Sequence, residues 1–211
     1  MRNQKPSFAE EILLEAEGYQ LVAGVDEAGR GALMGPVVAA AVILPHNITS
    51  HWQVEVRDSK QLRPERREYL FNYINEAAIA VGVGAASNDY IDTYGIIRAT
   101  RLAMKLAIEQ LTPSPEYLLI DYLRLPEIAL PQKGITNGDC LCFSIACASI
   151  VAKVTRDRLV TEMDREYPGY GFARHKGYAT REHVERLRCH GPCTVHRRTF
   201  RPVSYLIGQQ L

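Results

Sequence analysis

Four carboxylates stand where a folding chain has little ordinary use for negative charge. Asp26 and Glu27 are adjacent in GVDEAGRG (24–31), directly after an apolar run. Asp121 closes the apolar run YLLI, and Asp139 follows Asn137-Gly138 at the start of the longest helical pattern. Buried carboxylates repel one another and lose solvation, so acids gathered at strand ends and a helix start require a cation. Oxygen-only ligation favours Mg²⁺ or Mn²⁺ over Zn²⁺. Each acid also has a plain reading: Asp139 as a helix N-cap stabilising by about 1 kcal/mol, Asp121 as the start of a turn, Glu27 as the partner of Arg30. Together those readings fit less well, because two of the acids end apolar strands where no cap is needed.

Elements must bring these acids together. QLVAGV (20–25) and VVAAAVIL (37–44) read as strands and neighbours, with the turn-rich DEAGRGALMGP between them. Neighbouring side chains of a strand point to opposite faces, so Asp26 and Glu27 share a site only where the strand ends and the chain turns. Ser7 and Glu10 form a capping-box pattern opening a short helix that Gly18 ends. Pro64 suits the first position of an amphipathic helix, ERREYLFNYINEA. AIAVGVGAAS (78–87) reads as a third strand, IIRATRLAMKLAIEQL (96–111) as a helix stopped by Pro113 and Pro115, and YLLID (117–121) as a short buried strand. The stretch to Asp139 reads as loop with one brief strand. Cys140 to Tyr167 is the longest helix, its first half buried and TRDRLVTEMDREY exposed. PGYGFARHKGY (168–178) reads as a glycine- and aromatic-rich loop, and Thr180 caps a last helix that Gly191 ends. Strands followed by alternating strands and helices predict an α/β fold, a mixed sheet with helices on both faces.

Hydrophobic residues make up 46% of the 211, enough for a sizeable core, and the 23% charged residues are dispersed, which argues against disorder. The longest apolar runs are too short to span a bilayer, and the N-terminus lacks the apolar stretch of a signal peptide. A cytoplasmic protein is the expectation, and five cysteines in such a chain fit free thiols. Net charge is +1, yet residues 171–201 hold eight Lys/Arg against two acids, a distribution suited to a polyanionic partner.

GVDEAGRGALMGPVVAAAVIL, DSKQL (58–62), LLID (118–121), ASIVAKVTRDR (148–158), HKGYAT (175–180) and VHRRTF (195–200) occur in this order. Together they resemble bacterial ribonuclease HII, the type 2 ribonuclease H. The resemblance spans residues 24–200 and implies a ribonuclease H-like mixed sheet (core about 20–165) with a C-terminal helical part (about 166–211) in one domain. It implies an endonuclease that cuts RNA in RNA–DNA hybrids and nicks at the 5′ side of ribonucleotides embedded in duplex DNA. The family's metal-binding acids map onto Asp26, Glu27, Asp121 and Asp139, implying two Mn²⁺ or Mg²⁺ ions that clamp a scissile phosphate and leave 3′-hydroxyl and 5′-phosphate ends. Gly29, Arg30 and Gly31 match the segment that contacts the 2′-hydroxyl. Tyr178 matches the tyrosine stacked on the neighbouring sugar, and Lys60, Arg30 and Lys176 are candidates for phosphate contacts. A monomer is expected.

Three positions depart from the pattern: Tyr122 and Asn137 stand where the family usually has glycine and lysine, and Cys142 where it usually has serine. A different nuclease of the same fold should lack the GRG turn and the HKGY tyrosine. A catalytically dead binding module should have lost an acid, and a phosphate-loop protein should carry GKS/T. CHGPCTVH places Cys189, His190, Cys193 and His196 together, but the irregular spacing argues against structural zinc.

Overall fold

The computed structural model describes residues 5–45 and 48–208; the outermost residues of the expected 1–211 unit lie outside them. In chain order the elements are α1 (Ala9–Ala16), β1 (Val22–Ala28), β2 (Val37–Ile43), α2 (Pro64–Ala77), β3 (Ala80–Ala86), α3 (Asn88–Tyr94), α4 (Ile96–Glu109), β4 (Tyr117–Asp121), β5 (Gln132–Ile135), α5 (Gly138–Leu141), α6 (Phe143–Glu166), α7 (Phe172–His175), α8 (Arg181–His190) and α9 (Val203–Gly208). One five-stranded sheet runs β3-β2-β1-β4-β5. The first three strands pair antiparallel, and β4 and β5 add in parallel beside β1.

Alternation along β1 decides what meets its two faces. Ala23 and Val25 enter a core with Ala103, Met104 and Ala107 of α4. Gly24 lies under α6, where an added Cβ would overlap the Ser144 backbone. That close approach brings α6 directly over the residue two further on, Asp26. Every residue of α6 from Phe143 to Ala152 is buried, and each fully buried Ile or Val there contributes about 1.5–3 kcal/mol.

The long helix does not begin where its hydrophobic pattern begins. Cys142 is extended (φ −110°, ψ 129°) and separates α5 from α6. Asp139 therefore sits in its own short turn and caps nothing. Cys142 has no cap oxygen, and Glu11 of α1 takes that role from outside. Its Oε1 accepts from Ser144 N at 2.8 Å and from Cys142 Sγ at 3.1 Å. A buried acid suits that end of a helix. Ser7, expected to cap α1, does not; Phe8 occupies the cap position without a side-chain bond. Ser7 is engaged in a backbone bridge to Cys142, with Ser7 N to Leu141 O at 3.1 Å and Phe143 N to Ser7 O at 3.0 Å.

Thr180 does cap α8, accepting from His183 N at 3.2 Å, but α9 follows it. A second, smaller core joins Leu33, Met34, Val160, Tyr170, Phe172, Leu187 and Val203. The C-terminal part thus closes over the loop after β1 and the outer half of α6. The expectation that this half of α6 is exposed fails at Val160 and Arg156, both fully buried.

Candidate active site

Asp26, Glu27, Asp121 and Asp139 form one electrostatic neighbourhood where β1, β4 and α5 meet. β1 runs on to Ala28, past the expected end at Val25, so Asp26 and Glu27 lie within a strand. Asp26 points to α6, bonded to Ser149, whose Oγ is 2.9 Å from Ser59 Oγ. Its Oδ1 also accepts from Glu27 N at 2.7 Å. Burial, then Glu27 and Asp121, push the Asp26 carboxyl well above the ordinary carboxylate range. Burial raises Glu27 as well, against the lowering effect of Arg30, whose Nη1 is 3.2 Å from Glu27 Oε1. Asp121 is raised by burial and by Asp139, against the bond it accepts from Gly138 N at 2.7 Å. That last bond is how α5 is fixed to the end of β4: Asn137 turns left-handed (φ 57°) and aims the amide at the acid.

Lys60 reaches Asp139 Oδ2 at 3.7 Å. Burial pulls its ammonium down, but Asp139, Asp58, Asp26 and Asp121 raise it above its usual value. Even so, the negative charge exceeds what Lys60 and Arg30 supply. Glu27 Oε2 is buried with no hydrogen-bond partner among the described residues. Unmatched carboxylate charge, an orphaned acid oxygen and an all-oxygen donor set fit a hard divalent cation. The acids are not drawn fully together. Among the described residues, the group whose ligand atoms all lie within 4.8 Å of one another is Asp58, Asp139 and Cys140. Asp58 and Cys140 were not singled out from the sequence. Asp58 caps the short turn that presents Lys60, accepting from Lys60 N at 2.9 Å, and Cys140 simply follows an acid on α5.

The GRG turn is held from behind by two buried arginines that the sequence reading passed over. Arg156 of α6 donates to Pro36 O, Met34 O and Lys176 O at 3.1, 3.2 and 3.0 Å. Arg197 donates to Gly35 O, Arg30 O and Ala32 O at 3.0, 2.8 and 2.8 Å. Burial and the nearby Arg156 pull Arg197 down to about 9, leaving it charged at neutral pH. Gly29 has φ 94°, and a Cβ there would overlap the Arg156 guanidinium. Its smallness admits Arg156. Gly31 is different: it is exposed, and nothing lies within 4 Å of an added Cβ.

Tyr178 is half-buried beside this turn. It bridges Ala32, and the Lys153 ammonium and Arg156 guanidinium lie 5.3 and 5.5 Å from its ring centre. Its loop is set by three buried histidines. His175 and His183 stack at 4.3 Å, His183 Nδ1 bonds Tyr178 O at 2.9 Å, and His183 Nε2 meets His196 Nε2 at 3.2 Å. Lys176 is turned away from the acids, its Nζ donating to Thr161 Oγ1 at 2.7 Å. Cys189, His190, Cys193 and His196 form no converging ligand group among the described residues. His196 is bound to His183, and Cys189 is exposed. Tyr122 has φ 59°, a conformation glycine enters freely, so the backbone here is one that suits glycine, and nothing in the structure explains the tyrosine.

A ribonuclease HII family model matches residues 23–203. The chain belongs to the ribonuclease HII family. Ribonuclease HII of Dehalococcoides mccartyi is 59% identical over 202 residues, covering 96% of this chain and 95% of that one. Ribonuclease HII of Geotalea uraniireducens is 49% identical over 208 residues, 98% of this chain and 95% of that one. Among solved structures, ribonuclease H2 of Pyrococcus horikoshii is 26% identical with a TM-score of 0.75, over 90% of this chain and 98% of the other. Bst ribonuclease HIII, solved with Mn²⁺, gives a TM-score of 0.67 over 90% of this chain and 70% of the other, at 17% identity, a likeness of fold. The mixed sheet is thus the ribonuclease H fold, and the chain is a ribonuclease H hydrolase. The ribonuclease HII family comprises divalent-metal-dependent endonucleases that degrade the RNA of RNA–DNA hybrids. Among the described residues no helix is long and apolar enough to cross a membrane.

Proposed function

We propose that this ribonuclease HII cleaves the RNA strand of RNA–DNA hybrids and also nicks duplex DNA at the 5′ side of a single embedded ribonucleotide. Asp26, Glu27, Asp121 and Asp139 hold Mn²⁺ or Mg²⁺. The observation that carries this is the packing of an undercompensated acid cluster against a GRG turn that is locked to the Tyr178 loop. Divalent ions held by these acids would supply Lewis acidity at the scissile phosphate, for activation of water and stabilisation of the leaving 3′-oxygen. Asp26 is fixed by Ser149 and the Glu27 amide. The exposed turn at Arg30-Gly31 meets the 2′-hydroxyl, and Tyr178 stacks on the sugar that follows, favouring a deoxyribose there. Lys60 screens Asp139 and contacts phosphate when substrate arrives. The chain acts as one domain, as a monomer, in the cytoplasm.

The test is cleavage of an end-labelled DNA duplex with one ribonucleotide in Mg²⁺, Mn²⁺ or EDTA, beside Asp121→Asn. A metal-dependent 5′ nick that the variant loses supports acids and turn together. Cleavage of long hybrids alone would leave the acid assignment standing and remove the junction role of the turn and Tyr178. No cleavage by folded protein would end the reading.

A further inference from the structure

Next to Tyr178, whose ring lies under the Lys153 ammonium, α2, α6 and α7 enclose an open cavity of about 490 Å³. Six cationic side chains line it, Arg67, Lys153, Arg158, Arg165, Arg174 and Lys176, against three acidic ones. Most of the cations are already matched. Asp157 takes Lys153 at 2.7 Å and Arg67 at 3.5 Å. Glu68 pairs with Arg158, and Glu182 with Arg174. Lys176 is met by a neutral hydroxyl, Thr161, and Arg165 has no ion pair among the described residues, so Glu162, also on the lining, is one acid against these two cations. Both face a space where Lys153 adds a third, half-satisfied charge. Burial lowers the Lys153 and Lys176 ammonium groups; Asp157 opposes this at both, and neighbouring cations add to it. A pocket with surplus positive charge around an empty volume suits an anion of phosphate size.

Lys153 fixes where that anion lies along the substrate. Its ammonium sits over the Tyr178 ring, so the cavity continues the path that leads from the acids past the stacked sugar. We propose that this cavity is a backbone-phosphate subsite, with Lys176 and Arg165 as its direct ligands and Lys153 behind them. It takes one phosphate of the DNA on the 3′ side of the ribonucleotide. The proposal rests on the function given above.

The experiment replaces single phosphates 3′ of the ribonucleotide with neutral methylphosphonates, one position at a time, and measures KM and its salt dependence. Wild type, Arg165→Ala and the double variant Arg165→Ala/Lys176→Ala are compared. In the wild type one position should raise KM roughly tenfold. The double variant should show a similar rise on the unmodified duplex, a salt slope shallower by about 1, and no further rise at that one position. Arg165→Ala, remote from the Tyr178 backbone bonds, should show the same pattern at smaller amplitude. Losses that multiply at every position, or a KM that neither variant moves, would overturn the subsite. Failure of the wild type to nick the unmodified duplex would instead overturn the underlying function, a pattern that loss of the subsite cannot produce.

Discussion

Asp26 shows how a single side chain can weaken the fold that carries it. Its carboxyl, like those of Glu27 and Asp121, sits above its ordinary value chiefly because it is buried. A folded state with the higher carboxyl pKa binds more protons than the unfolded chain. These groups therefore lend stability below their folded values, and that stability is lost as pH rises from about 4 through those values. Asp26→Asn should cleave at least ~10³-fold more slowly in Mg²⁺ or Mn²⁺, and yet in EDTA it should be more stable than the wild type at pH 8, by roughly 1–2 kcal/mol. The advantage should vanish once Mn²⁺ or Mg²⁺ is added to the wild type, and calorimetry at pH 5 and pH 8 would show both effects. Melting of the variant below the wild type in EDTA at pH 8 would refute the uncompensated-charge account. The two glycines of the turn should separate just as cleanly. Gly29→Ala must displace Arg156 and adopt a positive φ, a loss of about 2 kcal/mol or more. Gly31→Ala meets nothing in the fold, so it should melt like the wild type while nicking single ribonucleotides at least tenfold more slowly. Asp26 and Asp121 stood out in the sequence because an acid closing an apolar run has few uses, and the resemblance to the family assigned Glu27 and Asp139 to the same set. Arg156 and Arg197 did not stand out, because a basic residue in a charged stretch gives no sign that backbone carbonyls await it inside.

Helices and loops owe their placement here to distant partners. Glu11 on α1 caps α6 across 133 residues of sequence, so Glu11→Ala should leave the Ser144 amide unpaired. A loss of about 1–3 kcal/mol follows, read as a fall in Tm of several degrees, with metal dependence of cleavage unaltered. The histidine stack under Tyr178 brings its own pH limit. Burial pulls His183 and His196 down to about 4. An imidazole depressed in the folded state leaves the unfolded chain holding more protons. The stability it contributes is full above about 6.5 and is lost as pH falls from there to about 4. Hydrogen exchange at pH 5 should find the Tyr178 loop opening before the sheet does, and equal protection of both would refute this. The strand and helix periods gave β1 to β4 and the longer helices, while β5 was expected only as an unplaced brief strand before Asp139. They missed the break at Cys142 because an extended residue between two buried turns leaves the hydrophobic pattern unbroken. They missed α3 and α9, and α7 inside the stretch read as a loop (168–178), because each is too short to show a period.

Across the whole molecule, large cores on the two faces of the sheet are joined to a smaller one in the C-terminal part along the loop after β1. The smaller one, around Phe172 and Leu187, borrows Leu33 and Met34 from the loop after β1 and Val160 from α6, so it has no complete interior of its own. Thermal unfolding followed at Tyr178 and in the sheet should therefore coincide at neutral pH, and separate midpoints would contradict a single unit. Arg156 and Arg197 stitch this junction by bonding carbonyls of one polypeptide stretch, residues 30–36, and of Lys176. The same stitching constrains the protein's history. Gly29 and the Arg156 guanidinium occupy one space, so a lineage that gains a side chain at 29 must already have shortened 156. Shortening 156 first strands three carbonyls, a loss of roughly several kcal/mol. Either first step descends, and only the pair together reaches new ground, so these two positions, 127 apart in sequence, should change in company or stay as they are.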